Sequence, residues 1–213
     1  MSPIESDRSA SADQTLGTDV LHRTIQAIAA AVDARSLLSS EHSSRVAQLC
    51  MEIGAEMALP DDSLRTLEFA AHIHDIGKIG TPESVLSKIG KFTEDDWTNI
   101  REHPGVGAGF IAQIEELSEV ARVIRHHHER IDGLGYPDRL KGDAIPLLSR
   151  ILAVADAFEA MTSHRPHRRA MPVADAAREL HNHAGEQFDP DVVRAATDVI
   201  NRYHTDATEK RAA

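Results

Sequence analysis

Histidine and aspartate side chains recur along the chain at intervals of two to three dozen residues. The seven residues that could ligate a metal are His42, His74, Asp75, His103, His127, His128 and Asp156. Imidazole and carboxylate donors together suit divalent iron, manganese or zinc, and helix bundles gather such donors from facing helices. Seven donors exceed the needs of one ion, whereas two ions about 3.5 to 4 Å apart would use them all and could activate a water toward phosphorus. Asp75, directly after His74, is the natural bridge.

Two sequence strings distinguish this set from scattered surface histidines. A single histidine or aspartate near a helix end is more often a cap, a hydrogen-bonded core residue or a surface group. Here the residues occur together with His-Asp-Ile-Gly-Lys at 74–78 and His-His-Glu-Arg-Ile-Asp-Gly-Leu-Gly-Tyr-Pro at 127–137. The joint occurrence favours a metal site.

Basic residues near these strings suggest a phosphate ligand. Lys78 follows Asp75 by three residues, so a helical turn places both on one side, where an ammonium can neutralise a phosphate. We predict that Arg165 and Arg168, in the basic cluster 165–169, bind an anionic substrate. Arginine can form two parallel hydrogen bonds with a phosphate and can stack on guanine. The net charge of −11, from 23 Lys and Arg against 34 Asp and Glu, opposes binding to DNA or an anionic membrane.

The elements that position these residues are predicted to be helices. Apolar residues at helical spacing and a Thr-Glu-Asp-Asp capping box at 93–96 carry this interpretation. The predicted helices cover 19–35, 43–57, 61–75, 93–103, a segment after Pro104, 117–128, 146–157, 172–183 and 189–204. Residues 132–137 are dense in turn formers and predict an irregular loop. With only 4% aromatic residues, the chain is expected to be an all-α, single-domain helical bundle.

Composition also sets the expected domain limits and location. Residues 1–16 and 207–213 lack apolar periodicity and are predicted to be tails around one domain at 17–206. No apolar run approaches the roughly 18 to 20 residues that a spanning helix needs, and the N-terminus lacks the features of an export signal. The only cysteine, Cys50, excludes a disulfide within the chain. We therefore expect a cytoplasmic protein.

The two strings resemble the HD superfamily of metal-dependent phosphohydrolases, and the second resembles its HD-GYP subgroup, which hydrolyses cyclic di-GMP. The resemblance runs from about residue 34 to 191 and includes four further motifs. These are Glu-His-Ser-Ser-Arg-Val at 41–46, Arg-Glu-His-Pro-Gly-Val-Gly at 101–107, Val-Ala-Asp-Ala-Phe at 154–158 and Phe-Asp-Pro at 188–190.

The resemblance implies a binuclear centre and a role for each of the candidate residues. One metal, expected to be iron or manganese, would be held by His42, His74, Asp75 and Asp156. The other would be held by Asp75, His103, His127 and His128. A hydroxide bridging the two metals would be the nucleophile, with Asp75 and Lys78 as catalytic residues. Tyr136 would lie in the loop beside the metals and hydrogen-bond a phosphate, unless it only braces the loop.

One departure from the family bears on the reaction product. Some HD-GYP members carry a glutamate four residues before the first histidine, which recruits a third metal, whereas here that position is Leu38. Two metals and hydrolysis of cyclic di-GMP to pGpG, rather than onward to GMP, are therefore expected. The alternatives are a cyclic-dinucleotide sensor without turnover, an HD enzyme acting on another nucleotide, and a di-iron oxygenase. Signalling partners or a homodimer through the first helix are further expectations.

Overall fold

Helices form almost all of the regular structure. The computed structural model describes Val20 and residues 23–36, 41–164 and 169–212, with side chains as far as Arg202. Its α-helices are α1 (23–35), α2 (His42–Glu56), α3 (Asp61–Ile73), α4 (Glu83–Leu86), α5 (Glu94–Arg101), α6 (His103–Ile111), α7 (Ser118–Arg125), α8 (Leu147–Thr162), α9 (Val173–Asn182) and α10 (Pro190–Ala212). Short 3₁₀ helices lie at Ile76–Gly80, Glu115–Leu117 and Gly142–Ala144. The described part of the chain contains no strand, so the predicted all-α fold is confirmed.

The core is centred on α2, which packs against α3, α8 and α10. Val46, Cys50 and Ile53 follow helical spacing and are fully buried, because they face α3 and α8. They meet Leu67 and Leu152 in one apolar cluster. Each such side chain contributes about 1.5 to 3 kcal/mol through burial. The packing of α2 against α3 and α8 brings the ends of these helices, where the candidate ligands lie, toward one another.

Two helices meet at His103. Thr93 accepts a hydrogen bond from the backbone N–H of Asp96, and the Asp96 carboxylate accepts one from the N–H of Thr93, so the predicted capping box is confirmed. The helix that it starts, α5, ends at Arg101, and α6 begins at His103 with proline in its first turn. His103 therefore lies at a fixed junction rather than within a continuous helix.

A close backbone contact sets the distance between α6 and the end of α3. After Ile73 the chain tightens into the 3₁₀ helix Ile76–Gly80, which packs on α6. A Cβ atom added at Gly77 would lie 1.9 Å from the carbonyl oxygen of His103 and 2.6 Å from the amide nitrogen of Gly107. Only glycine permits this approach, which brings Asp75 close to His103.

The segment after α7 differs from the sequence-based prediction. The helix was expected to continue to residue 128, but it ends at Arg125, and His127 and His128 lie in the turn that follows. The loop that comes next folds back onto this turn: a Cβ atom at Gly135 would lie 2.6 Å from the His128 carbonyl oxygen. A longer helix would occupy the space of that loop. The predicted irregular loop itself is present.

No helix among the described residues combines the length and the apolar character needed to cross a bilayer.

We predict that Gly77→Ala disrupts the contact between the 3₁₀ helix and α6. The added Cβ would clash with backbone atoms, which cannot rotate away, so a loss of more than about 2 kcal/mol in the free energy of unfolding is expected. Gly109→Ala in α6 is the matched control, because its Cβ meets nothing within 4 Å; it should be neutral or stabilise by up to about 1 kcal/mol. Chemical denaturation measures both. Equal stability of the two variants would contradict the contact.

Candidate metal centre

The seven predicted ligands converge in the interior of the fold. Six of them form two groups, and within each group the candidate ligand atoms lie within 4.8 Å of one another. The first group is His42, His74 and Asp156, and the second is His103, His127 and His128. In each group two residues are buried and one is half-buried.

Asp75 lies between the two groups and directs one carboxylate oxygen at each. Its Oδ1 is 3.3 Å from Nε2 of His103. Its Oδ2 is 3.6 Å from Nε2 of His74 and 3.9 Å from Nε2 of His42. Only 4% of Asp75 is exposed. This orientation is what a carboxylate bridge between two cations requires.

The backbone fixes which nitrogen of three histidines faces the centre. Nδ1 of His74, His103 and His127 lies 2.7, 2.7 and 2.6 Å, respectively, from the carbonyl oxygen three residues earlier. Because a carbonyl only accepts hydrogen bonds, each Nδ1 carries the proton and each Nε2 presents a lone pair. The three lone pairs point into the site.

These donors fit divalent cations. Nε2 of His103 lies 3.4 Å from Nε2 of His127, and with both Nδ1 atoms protonated neither Nε2 can donate to the other. Nε2 of His74 is buried and has no hydrogen-bond partner among the described residues. Buried acceptors without donors are costly, and a cation would satisfy them together. The set of imidazole and carboxylate donors matches iron, manganese or zinc.

The sequence profile of the family described as HD domain matches residues 26–192. The chain belongs to the HD domain family. The match includes all seven candidate ligands, so the resemblance drawn from the motifs is confirmed. Membership implies divalent metal binding, and the two donor groups are where such ions would lie.

Relatives of this HD domain include two named phosphodiesterases. The cyclic di-GMP phosphodiesterase response regulator RpfG of Xanthomonas campestris is 38% identical over 81% of this chain and 46% of its own length. The 3'3'-cGAMP-specific phosphodiesterase 1 of Vibrio cholerae is 38% identical over 75% of this chain and 37% of its own. A V. cholerae cyclic GMP-AMP-specific phosphodiesterase structure, V-cGAP3, shares the fold with TM-score 0.66 and 23% identity, over 83% of this chain and 48% of that one. The chain spans less than half the length of these relatives.

His42 of the HD domain is oriented by a side chain rather than by the backbone. It is the first residue of α2, so no carbonyl of its own helix lies three residues earlier. Its Nδ1 instead lies 2.5 Å from Oε2 of the buried Glu159, whose Oε1 binds Ser163 at 2.5 Å and Nε of Arg45 at 3.0 Å. Burial alone would raise the pKa of Glu159, but its hydrogen bonds with His42, Ser163 and Arg45 lower it to about 2.

Burial keeps the second group neutral. It lowers the pKa of His103 to about 4, although the charge of Asp75 opposes the shift. Burial, followed by neighbouring histidines, also lowers the pKa of His127 and of His128 well below the ordinary value. Burial would raise the pKa of Asp75, but Lys78 and the surrounding histidines hold it well below its usual range. Neutral imidazoles and an ionised carboxylate are the forms that bind metals.

A cleft of about 690 Å³ opens beside the centre. His128 and Asp156, the half-buried member of each group, line it together with Tyr136. The Tyr136 ring lies 4.9 Å from the ring of His128, and burial raises the pKa of its hydroxyl, so the hydroxyl stays a donor. Lys78 Nζ lies 2.5 Å from Asp75 Oδ2. The predicted Lys78 and Tyr136 are thus beside the ligands.

Other residues differ from or lie beyond the sequence-based predictions. Arg165, Arg168 and Leu38 lie outside the described residues. Three further arginines line the cleft without having been assigned a role from the sequence: Arg101, Arg130 and Arg139. Glu159 was also missed, although its position three residues after Asp156 on one helix was a usable signal.

We predict that the metal-free protein loses stability as the pH falls from about 6.5 to about 4. In the unfolded chain histidines take up protons near pH 6.5, whereas folded His103 stays neutral to about pH 4. The unfolded state then binds more protons, so the free energy of unfolding falls by up to about 1.4 kcal/mol per pH unit for each such histidine. Urea unfolding after chelation measures the slope, and His103→Gln should reduce it. A flat profile above pH 4.5 would contradict the burial of neutral histidines.

Proposed function

We propose that this HD domain is a metal-dependent phosphodiesterase that hydrolyses a cyclic dinucleotide, with cyclic di-GMP as its first candidate. The observation that carries the proposal is Asp75, whose two carboxylate oxygens face separate donor groups beside an open cleft. Two-metal sites of this kind serve displacement at phosphorus. The names of the relatives, one a cyclic di-GMP and one a 3'3'-cGAMP phosphodiesterase, support the substrate class.

In this proposal the seven residues hold two divalent metals, iron or manganese. His42, His74 and Asp156 hold one, and His103, His127 and His128 hold the other. Asp75 is a ligand to both, as its position between the groups suggests. Bound metals would supply Lewis acidity, lowering the pKa of a water and neutralising phosphate charge.

Lys78 and Tyr136 act on the substrate in this proposal. The ammonium of Lys78, beside Asp75, neutralises the phosphate that is attacked and the charge that develops on it. The hydroxyl of Tyr136, in the wall of the cleft, donates a hydrogen bond to a phosphate oxygen. Arg165 and Arg168 remain predicted contacts to the rest of the nucleotide.

The proposal also includes a centre of two metals and pGpG as the end product. The described residues around the centre offer two donor groups of three and the shared Asp75. Leu38 has no ligand atom for a third ion. A homodimer through the first helix also stays a prediction; its Val20 and Ile28 are exposed.

The test of function is product analysis on protein whose metal content is known. We expect protein loaded with iron or manganese to convert cyclic di-GMP to pGpG, which chromatography resolves from GMP, and to contain two metals per chain. GMP as the main product, or three metals, would refute the two-metal assignment. Tight binding without cleavage would indicate a sensor, and turnover of bis(p-nitrophenyl) phosphate alone would indicate an HD enzyme with another substrate.

Two substitutions separate metal binding from chemistry. Asp75→Ala removes the shared ligand, so we expect metal content and activity to be lost together. Lys78→Met removes the ammonium and keeps the apolar stem, so metal content should be retained while kcat falls by about tenfold to a thousandfold. Elemental analysis of the same samples used for kinetics provides the comparison. A fully active Lys78→Met protein would remove Lys78 from the mechanism, and an Asp75→Ala protein with two metals would remove the bridge.

A further inference from the structure

Three arginines line the cleft, and one of them is engaged by neighbouring residues. Arg130 binds the carboxylate of Asp132 with Nη2 at 2.6 Å and Nε at 3.1 Å, and the side-chain oxygen of Gln187 with Nη1 at 3.0 Å. Its donors are used to join the loop after α7 to the segment before α10. Arg130 is therefore a structural residue of the cleft wall.

The guanidinium groups of Arg101 and Arg139 have no such partners. In the part of the chain that the structure describes, neither forms a hydrogen bond or an ion pair; Arg101 only lies 5.7 Å over the ring of Trp97. Several other arginines around the fold are paired, such as Arg125 with Asp138 and Arg150 with Asp189. In a chain with a net charge of −11, two arginines that line a cleft and have no carboxylate partner among the described residues favour an anionic ligand there.

The backbone at Arg139 is a second and independent observation, because an arginine occupies a conformation that glycine would adopt more easily. Arg139 has φ +53°, in the left-handed region that favours glycine. Its neighbours hold it there, because the buried Glu129 accepts the backbone N–H groups of Asp138 at 2.7 Å and Leu140 at 3.1 Å. Unfavourable backbone conformations of this kind concentrate at ligand-binding sites.

We propose that Arg101 and Arg139 bind the second phosphate of the cyclic dinucleotide, the one that is not cleaved. The inference rests on the proposed function. A cyclic dinucleotide carries two phosphodiesters, and when one is at the metal groups the other remains charged within the same cleft. Both arginines line that cleft with His128 and Asp156, and a guanidinium binds phosphate through paired N–H donors. Arg101 and Arg139 thus favour ligands that carry two phosphodiesters over ligands that carry one.

The test compares substrates that have and lack a second phosphate. Kinetic constants of Arg101→Gln and Arg139→Gly are measured with cyclic di-GMP, 3'3'-cGAMP and bis(p-nitrophenyl) phosphate. We expect KM for both cyclic dinucleotides to rise about tenfold to a hundredfold, the loss of one charge-assisted contact, with a smaller change in kcat. The ratio of kcat/KM for cyclic di-GMP to that for bis(p-nitrophenyl) phosphate should fall by at least about tenfold.

A structural role would give a different result. Arg139→Gly relieves the left-handed conformation, so its melting temperature should equal or exceed that of the wild type while KM rises. A lower melting temperature with unchanged KM would mean that Arg139 only stabilises the loop. Arg122→Ala is the matched control, because Arg122 pairs with Glu119 on an exposed face of α7 and does not line the cleft.

Each remaining outcome also decides the proposal. Unchanged KM values in both variants overturn it, as do equal losses with all three substrates, which would assign the arginines to the cleaved phosphate. Unequal losses with cyclic di-GMP and 3'3'-cGAMP would assign them to a base instead. If the wild type cleaves bis(p-nitrophenyl) phosphate but neither dinucleotide, the proposed function fails first and this inference fails with it. That result needs no variant, so the two failures are distinguishable.

Discussion

The buried carboxylate of Asp75 is the group on which the rest of the structure depends. An isolated ionised carboxylate in a protein interior costs several kcal/mol, so it must be surrounded by positive charge. Lys78 supplies one cation at 2.5 Å, and the histidines around it offer neutral lone pairs that need cations themselves. Divalent metals would satisfy these lone pairs and would add to the positive charge that Lys78 supplies to the carboxylate. The tight packing at Gly77 contributes to this centre, since it holds the carboxylate close to His103.

Helix ends organise the ligands around this carboxylate. His74, His103 and His127 each follow the last turn of a helix, namely α3, α5 and α7, and each Nδ1 binds a carbonyl of that turn. The carbonyls of a last turn lack partners within the helix. One hydrogen bond therefore satisfies a carbonyl and sets the tautomer of a ligand. The negative ends of three helix dipoles also point toward the place where cations would bind.

The sequence predicted the fold, and it predicted that the candidate ligands converge, because both depend on local sequence patterns. Apolar periodicity indicated the helices, and the His-Asp pair at 74–75 and the His-His pair at 127–128 indicated the donors. The predicted C-terminal end of α7 was wrong. The helix ends where the loop around Gly135 packs against the next turn, and the residues of the helix itself do not indicate this. Glu159 was missed because its partner, His42, lies 117 residues away. Arg139 could not be singled out either, as its left-handed backbone arises from the contacts of Glu129.

The two donor groups differ in charge, but both are reached from the same cleft. The group of His42, His74 and Asp156 has its own carboxylate, and Glu159 hydrogen-bonds with His42. The other group consists of imidazoles that burial keeps neutral. Among the seven candidate ligands, Asp75 is thus the only residue that brings a negative charge to the second group. Yet the half-buried member of each group, Asp156 in one and His128 in the other, lines the same cleft. A phosphate that entered the cleft would therefore meet both halves of the centre at once, as the proposed displacement assisted by two metals requires.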